Sequence, residues 1–222
     1  MRWLRGTFGI FMKDVRSEVR ARAALNAVVL FTVVTLTVVS YSIGSFGLAP
    51  EVQASLLWII VFFAAMAGLS RTFVVEAERG TDLALRLTAS GAQVFVGKFL
   101  FNLALLGLLD VILVPLFQIF LPIRGANWGL LLGGLGLGSV ALAASATLVA
   151  AIVAQAGVKG ALFTVLSFPI LAPVLIAGVG VTRKALLQQS MADASTELQL
   201  LISYGGVMVT LAVLLFDFVW RE

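Results

Sequence analysis

The feature that most constrains this chain is the recurrence of long, nearly uncharged apolar stretches along its 222 residues. Each stretch is long enough to cross about 30 Å of hydrocarbon as an α-helix, and the alternating pattern of barrel strands is missing. Charged residues make up only 12% of the chain, whereas soluble domains average about 25%. The sequence therefore predicts an all-α, polytopic membrane protein with one domain over residues 1–222. Its six predicted spans cover about residues 23–46, 52–71, 99–121, 128–155, 160–182 and 198–219.

Lysine and arginine are distributed unevenly between the two sides of this predicted bundle. Twelve of the 15 lie before the first span, after the second or fourth span, or after the last span. Because cytoplasmic loops are enriched in Lys and Arg, both termini and the segment 72–98 are predicted to be cytoplasmic. The asymmetry also explains the net charge of +4 without any nucleic acid.

Two residue types are missing from the chain, which contains no cysteine and no histidine. The absence of cysteine excludes disulfides and thiolate metal sites. The absence of histidine removes the commonest metal and heme ligand and the usual general base. We therefore expect no catalytic residue, no metal site and no cofactor bound directly by this chain.

Residues 1–22 have the pattern of an amphipathic helix, because apolar side chains recur at helical spacing and basic residues populate the remaining positions. The following apolar run is too long for a cleavable signal peptide. We expect residues 1–22 to lie in the membrane interface, although a basic lead that only sets topology would look similar. The apolar positions are Leu4, Phe8, Phe11, Val15 and Val19.

The segment 72–98 is the only long charged loop between predicted spans. Thr81 or Asp82 can cap a short helix, Ser90 and Gly91 then break it, and Lys98 precedes the third span. Such an element is suited to docking a cytoplasmic partner, although its leucines could instead pack against the protein's own helix ends. The predicted docking residues are Glu76, Glu78, Gly80, Thr81, Asp82, Leu85 and Leu87.

Three polar or irregular features lie within the predicted spans. Asp110 is near the middle of the third span, where a charge is costly, so it is either a substrate-path or proton-relay residue or a neutral, hydrogen-bonded carboxyl. Pro169 and Pro173 predict a kinked or broken fifth span. The fourth span carries small residues four apart, which favours close packing within the subunit or at a dimer face. Those residues are Gly129, Gly133, Gly134 and Gly138.

The run Glu78-Arg-Gly-Thr81, followed by Leu85, Leu87 and Ser90, resembles the coupling segment of ABC-2 type transporter permeases. Within that class the whole chain is similar to the heme exporter protein B (CcmB) family of cytochrome c maturation. The similarity rests on the length, on the lack of a large extracellular domain, and on the stretch from Gly157 to Pro173.

The resemblance implies an ABC-2 permease fold in a bacterial inner membrane, with six spans, cytoplasmic termini and an amphipathic N-terminal helix. It implies a homodimer working with a separate CcmA-like ATPase and with CcmC- and CcmD-like heme-handling proteins, to release a heme-loaded chaperone. ATP would act through the partner subunit, since no phosphate-binding loop of the G-x-x-x-x-G-K-[ST] type is present. Heme would be a cargo of the complex.

Three other functions remain open at the level of sequence. The chain could be an ABC-2 permease for a drug, a lipid or a polysaccharide. It could instead be a proton-coupled secondary carrier that uses Asp110, although such carriers often contain internal repeats and none is evident. An intramembrane enzyme is the weakest of these hypotheses, because no paired nucleophile and base can be found.

Overall fold

The computed structural model describes residues 2–43, 47–69, 89–123, 125–155 and 161–221. Within these ranges the chain forms seven α-helices and no strand. In chain order they are α1 (Arg2–Ala21), α2 (Ala23–Ile43), α3 (Pro50–Leu69), α4 (Gly91–Phe120), α5 (Trp128–Gln155), α6 (Ala161–Leu186) and α7 (Ser195–Arg221). Helices α2 to α7 are each long and apolar enough to cross a membrane. The predicted all-α, six-span membrane protein is confirmed.

Most helix bounds lie within a few residues of the predicted spans, and α4 differs most. It begins at Gly91, whereas the third span was predicted from about residue 99, so residues 91–98 belong to a helix and not to the loop. The cause is a capping box. The Ser90 hydroxyl accepts a hydrogen bond from the Gln93 amide, and the Gln93 side chain accepts one from the Ser90 amide.

The amphipathic helix α1 and the first span α2 are separated by a single residue. Arg22 has a positive φ of 54°, which ends α1 and redirects the chain. The Glu18 carboxylate then accepts a hydrogen bond from the Leu25 amide at 3.0 Å, near the start of α2. A carboxylate at a helix N-terminus also interacts favourably with the helix dipole.

Helix α5 is the centre of the bundle, because it packs against α3, α4, α6 and α7. Within its apolar window 78% of the residues are buried, compared with 17% for the peripheral α2. Helix α1 packs mainly on the first turns of α4. Consecutive spans alternate in direction, so α1, the end of α3 and the start of α4 share one end of the bundle, and residues 121–127 and 187–194 lie at the opposite end.

Helix α6 is one continuous helix that contains Pro169 and Pro173, so the fifth span is not broken there, and a kink at these prolines stays a prediction. A proline in a helix disturbs the carbonyls one turn earlier, which then need other partners. One carbonyl in this region, that of Ile170, accepts a hydrogen bond from the Tyr204 hydroxyl of α7. This bond links α6 to α7 within the stretch that contains both prolines.

Candidate functional site

Helices α4 and α5 are joined inside the bundle by two polar pairs, which we call the polar seam (Asn102, Asp110, Ser139 and Thr147). The Ser139 hydroxyl donates to Asp110 Oδ2 at 2.7 Å, and Asn102 Nδ2 donates to Thr147 Oγ1 at 2.8 Å. Asn102 and Asp110 on α4 are separated by about 12 Å along the helix axis, at about 1.5 Å per residue, and so are Ser139 and Thr147 on α5. Because the two helices are antiparallel and the spacings are equal, both hydrogen bonds can form in one register of α4 against α5.

Asp110 has one bonded and one unbonded carboxyl oxygen. Its Oδ1 is buried and has no hydrogen-bond partner among the residues that the structure describes. A charged carboxylate with only a hydroxyl partner is expensive at this depth, whereas a protonated carboxyl costs much less. The geometry therefore suits a carboxyl that holds a proton. Asn102, about two turns before Asp110 on the same helix, donates to Thr147.

The indole of Trp58 on α3 fills a space between α5 and α6, which we call the Trp58 notch (Trp58, Gly138, Gly178 and Thr182). Trp58 is only 1% exposed, and its Nε1 donates to Thr182 Oγ1 at 2.9 Å. A Cβ added to Gly138 or to Gly178 would collide with the indole ring. Both glycines are therefore required by the close approach of a large side chain.

The four glycines predicted as packing positions on α5 differ in their surroundings. A Cβ on Gly134 would collide with Val181 of α6, and a Cβ on Gly138 with Trp58. Around Gly133 no atom of the described residues lies within 4 Å of an added Cβ, and around Gly129 the neighbours are at ordinary contact distance. Sequence spacing alone did not distinguish these positions, and it did not single out Gly178 or Trp58.

The N-terminal helix is held on α4 by what we call the α1–α4 contact (Trp3, Thr7, Ile10 and Asp14 on α1; Gln93, Gly97 and Lys98 on α4). Lys98 is fully buried, and its Nζ lies 3.4 Å from Asp14 Oδ2. A Cβ on Gly97 would lie 2.9 Å from Ile10 atoms and 3.1 Å from the Thr7 carbonyl. Gln93 Nε2 donates to the Trp3 carbonyl at 3.1 Å.

This contact changes the interpretation of two predicted elements. The sequence places Lys98 just before a span, whereas in the structure it lies within α4 and is a buried ion-pair partner of Asp14 on α1. Three of the five residues on the predicted apolar face of α1, Leu4, Phe8 and Val19, are exposed, whereas Thr7 and Ile10 are buried at the contact with α4. An outward apolar face is what a helix lying in the membrane interface requires.

The predicted docking residues lie outside the described residues, because the structure describes no residue between Leu69 and Ala89. Those residues are Glu76, Glu78, Gly80, Thr81, Asp82, Leu85 and Leu87. Their role stays a prediction. What the structure does place is the helix that follows them, which begins at Gly91 and packs directly on α1.

The opposite end of the bundle is closed by polar bonds. Asn127 caps α5 through its side-chain oxygen, and its Nδ2 donates to the Gln189 carbonyl at 2.9 Å. Lys184 Nζ lies 2.6 Å from Glu197 Oε1 and donates to the Asp193 carbonyl at 2.8 Å. Hydrogen bonds from the Ser190 side chain and backbone hold the pKa of Asp193 below its usual value. Among the described residues, no cluster of three acidic side chains could hold a metal ion.

Six helices long and apolar enough to cross a membrane, with an amphipathic helix docked on one of them, define a polytopic membrane protein. Comparison with known proteins makes this specific. Residues 5–219 match the family model described as CcmB protein, so the chain belongs to the CcmB family, as its sequence indicated. It is also 27% identical over 177 residues to heme exporter protein B of Rhodobacter capsulatus, covering 79% of this chain and 81% of that protein.

Proposed function

We propose that this chain is the membrane subunit of a heme-export complex in cytochrome c maturation, driven by a separate ATPase. The observation that carries the proposal is the family match over residues 5–219. The relative from Rhodobacter capsulatus, which bears the name heme exporter protein B, supports the same function. The six-span bundle supplies the transmembrane part that such a complex needs.

The energy would come from a partner protein, since this chain has no phosphate-binding loop in its sequence. The ATPase would dock on the predicted residues 76–87 and on α1. Helix α4 begins just after that segment and is tied to α1 by the Lys98–Asp14 ion pair. A force applied there would pass along continuous α4 to the hydrogen bond between Asp110 and Ser139.

The direction of insertion follows from the charges. The α1 end of the bundle carries the excess of Lys and Arg, so this end would face the cytoplasm and the ATPase. The chain would work as a homodimer in the bacterial inner membrane with CcmC- and CcmD-like subunits. The complex would release a heme-loaded chaperone for cytochrome c assembly, and this chain would bind neither heme nor ATP itself.

The docking assignment is tested by replacing Leu85 and Leu87 together with Asp in the full chain, expressed with its ATPase subunit. We expect the ATPase to be lost from the purified complex while the chain remains in the membrane at normal levels. Burial of each leucine in a partner would contribute about 1.5–3 kcal/mol before association costs. The matched control places Asp at Leu187 and Met191, which are exposed at the opposite end. It should retain the ATPase.

Full retention of the ATPase by a stably inserted Leu85/Leu87 variant would refute the docking assignment. The cargo class is tested separately by heme staining of c-type cytochromes in cells lacking the chain. We expect mature cytochrome c to disappear and to return with the unchanged chain. Normal cytochrome c in those cells would favour a permease for a drug, a lipid or a polysaccharide.

A further inference from the structure

A groove of about 1120 Å³ runs along α1 and is completed by two side chains of α4. Small-molecule sites usually have volumes of about 300–1000 Å³, so the groove is large for a compact ligand. Its apolar surface includes Phe8 and Met12 of α1 and Val96 and Leu100 of α4. Leu100 is 39% exposed, so the groove opens onto the outer surface of the span.

All of the charged residues that line this groove are basic, and they are Arg5, Lys13, Arg16 and Arg20. At about 100° per residue these four positions fall within roughly 80° of the helix circumference, so they form one stripe. Helix α1 carries two acidic residues, fewer than the four basic residues of the stripe, so the stripe keeps an excess of positive charge. Asp14 lies between Lys98, at 3.4 Å, and Lys13, at 3.3 Å, and Glu18 accepts a hydrogen bond from the Leu25 amide.

The groove therefore combines a cationic stripe with an apolar strip that continues along a membrane-crossing helix. A ligand that matches both parts carries a negative charge at one end and a long hydrocarbon portion at the other. Basic side chains near a membrane surface attract anionic lipids, each by about fivefold in affinity. Charge complementarity therefore favours an anionic lipid as the molecule that occupies the groove.

We propose that this groove binds one anionic phospholipid. The phosphodiester of the headgroup lies against the cationic stripe, and an acyl chain lies along Val96 and Leu100. The bound lipid fills the space beside α1 and adds to the ion pair of Asp14 and Lys98 in holding α1 on α4. The groove shares α1 with the proposed ATPase contact but includes none of the residues 76–87, and the lipid site does not depend on the proposed cargo.

The experiment is native mass spectrometry of the delipidated full chain in detergent, titrated with phosphatidylglycerol or with phosphatidylcholine of the same acyl chains. The unchanged chain should bind one phosphatidylglycerol in preference to phosphatidylcholine. Arg16→Gln should weaken this binding about fivefold, and Arg16→Gln with Arg20→Gln about twentyfold. The matched control is Arg183→Gln, an exposed arginine at the opposite end of the bundle, and it should change nothing.

The apolar half of the groove is tested by a second pair of variants on α4. Leu100→Trp should fill the groove and weaken phosphatidylglycerol binding, while Leu108→Trp should not. Leu108 is a suitable control because it is 41% exposed, close to the 39% of Leu100, and does not line the groove. Unchanged elution in gel filtration would show that each variant is folded.

Three results would overturn the proposal. The first is equal binding of the two lipids by the unchanged chain. The second is an equal loss of binding in Arg183→Gln, which would reveal attraction by overall charge only. The third is a loss of ATPase binding in the Arg16/Arg20 variant with lipid preference intact, which would assign the groove to a protein partner.

Discussion

The centre of the bundle and the α1–α4 contact use glycine in the same way but hold their polar groups by different means. In the centre, Gly138 and Gly178 admit an indole, and Asp110 bonds to a neutral hydroxyl. At the α1–α4 contact, Gly97 admits Ile10, and the polar link is an ion pair. The difference follows the cost of charge, which is greatest at mid-span and falls toward the helix ends.

The largest loss of stability is expected from Gly138→Ala, because the new Cβ would collide with a rigid indole held between three helices. Overpacking of this kind should cost about 2–3 kcal/mol and lower the thermal unfolding midpoint of the chain purified in detergent. Gly133→Ala on the same helix is the control and should cause no loss, since nothing lies near its added Cβ. Equal melting of the two variants would mean that the Trp58 notch is not closely packed.

The next largest loss of stability is expected when Asp is replaced by Asn, and the same substitution can be compared at the α1–α4 contact and in the centre of the bundle. Asp14→Asn removes the carboxylate beside buried Lys98 and should cost about 2 kcal/mol. Asp110→Asn keeps an oxygen that can accept from Ser139, so we expect a loss below about 0.5 kcal/mol, normal assembly and a modest loss of cytochrome c maturation.

Thermal unfolding and heme staining of both variants check this comparison. Complete loss of maturation by Asp110→Asn, with normal membrane levels and normal ATPase binding, would contradict a purely structural carboxyl. It would instead support a proton-relay role for Asp110. A large loss of stability in that variant would show that the polar seam depends on charge.

The smallest effect concerns pH and the turn at the opposite end. Because hydrogen bonds from Ser190 lower the folded-state pKa of Asp193 below the ordinary 3.8, the deprotonated form favours the folded turn. This contribution is present above about pH 5 and is lost as the pH falls through the lowered pKa. Amide hydrogen exchange of residues 188–194 should rise in acid, and Ser190→Ala should remove that rise. An identical acid response in Ser190→Ala would contradict the assignment.

Much of the architecture was predictable because hydropathy and charge are read along a single chain. The six spans, the amphipathic N-terminal helix and the family follow from apolar length, helical spacing and short motifs. Helix α5 has its predicted bounds, since Trp128 begins a long apolar run directly after the capping residue Asn127. The early start of α4 follows from the capping box of Ser90 and Gln93, whereas Ser90 and Gly91 were predicted only to break a preceding helix.

The partners of individual side chains were decided only by the tertiary structure. Gly134 and Gly133 are adjacent in a run of small residues, yet only Gly134 contacts another helix closely. Spans that are apolar on every face carry little information on which face turns inward, because lipid and protein interior are similarly apolar. The rotation and register of α4 against α5 and α1 therefore determined that Asp110 meets Ser139 and that Lys98 meets Asp14.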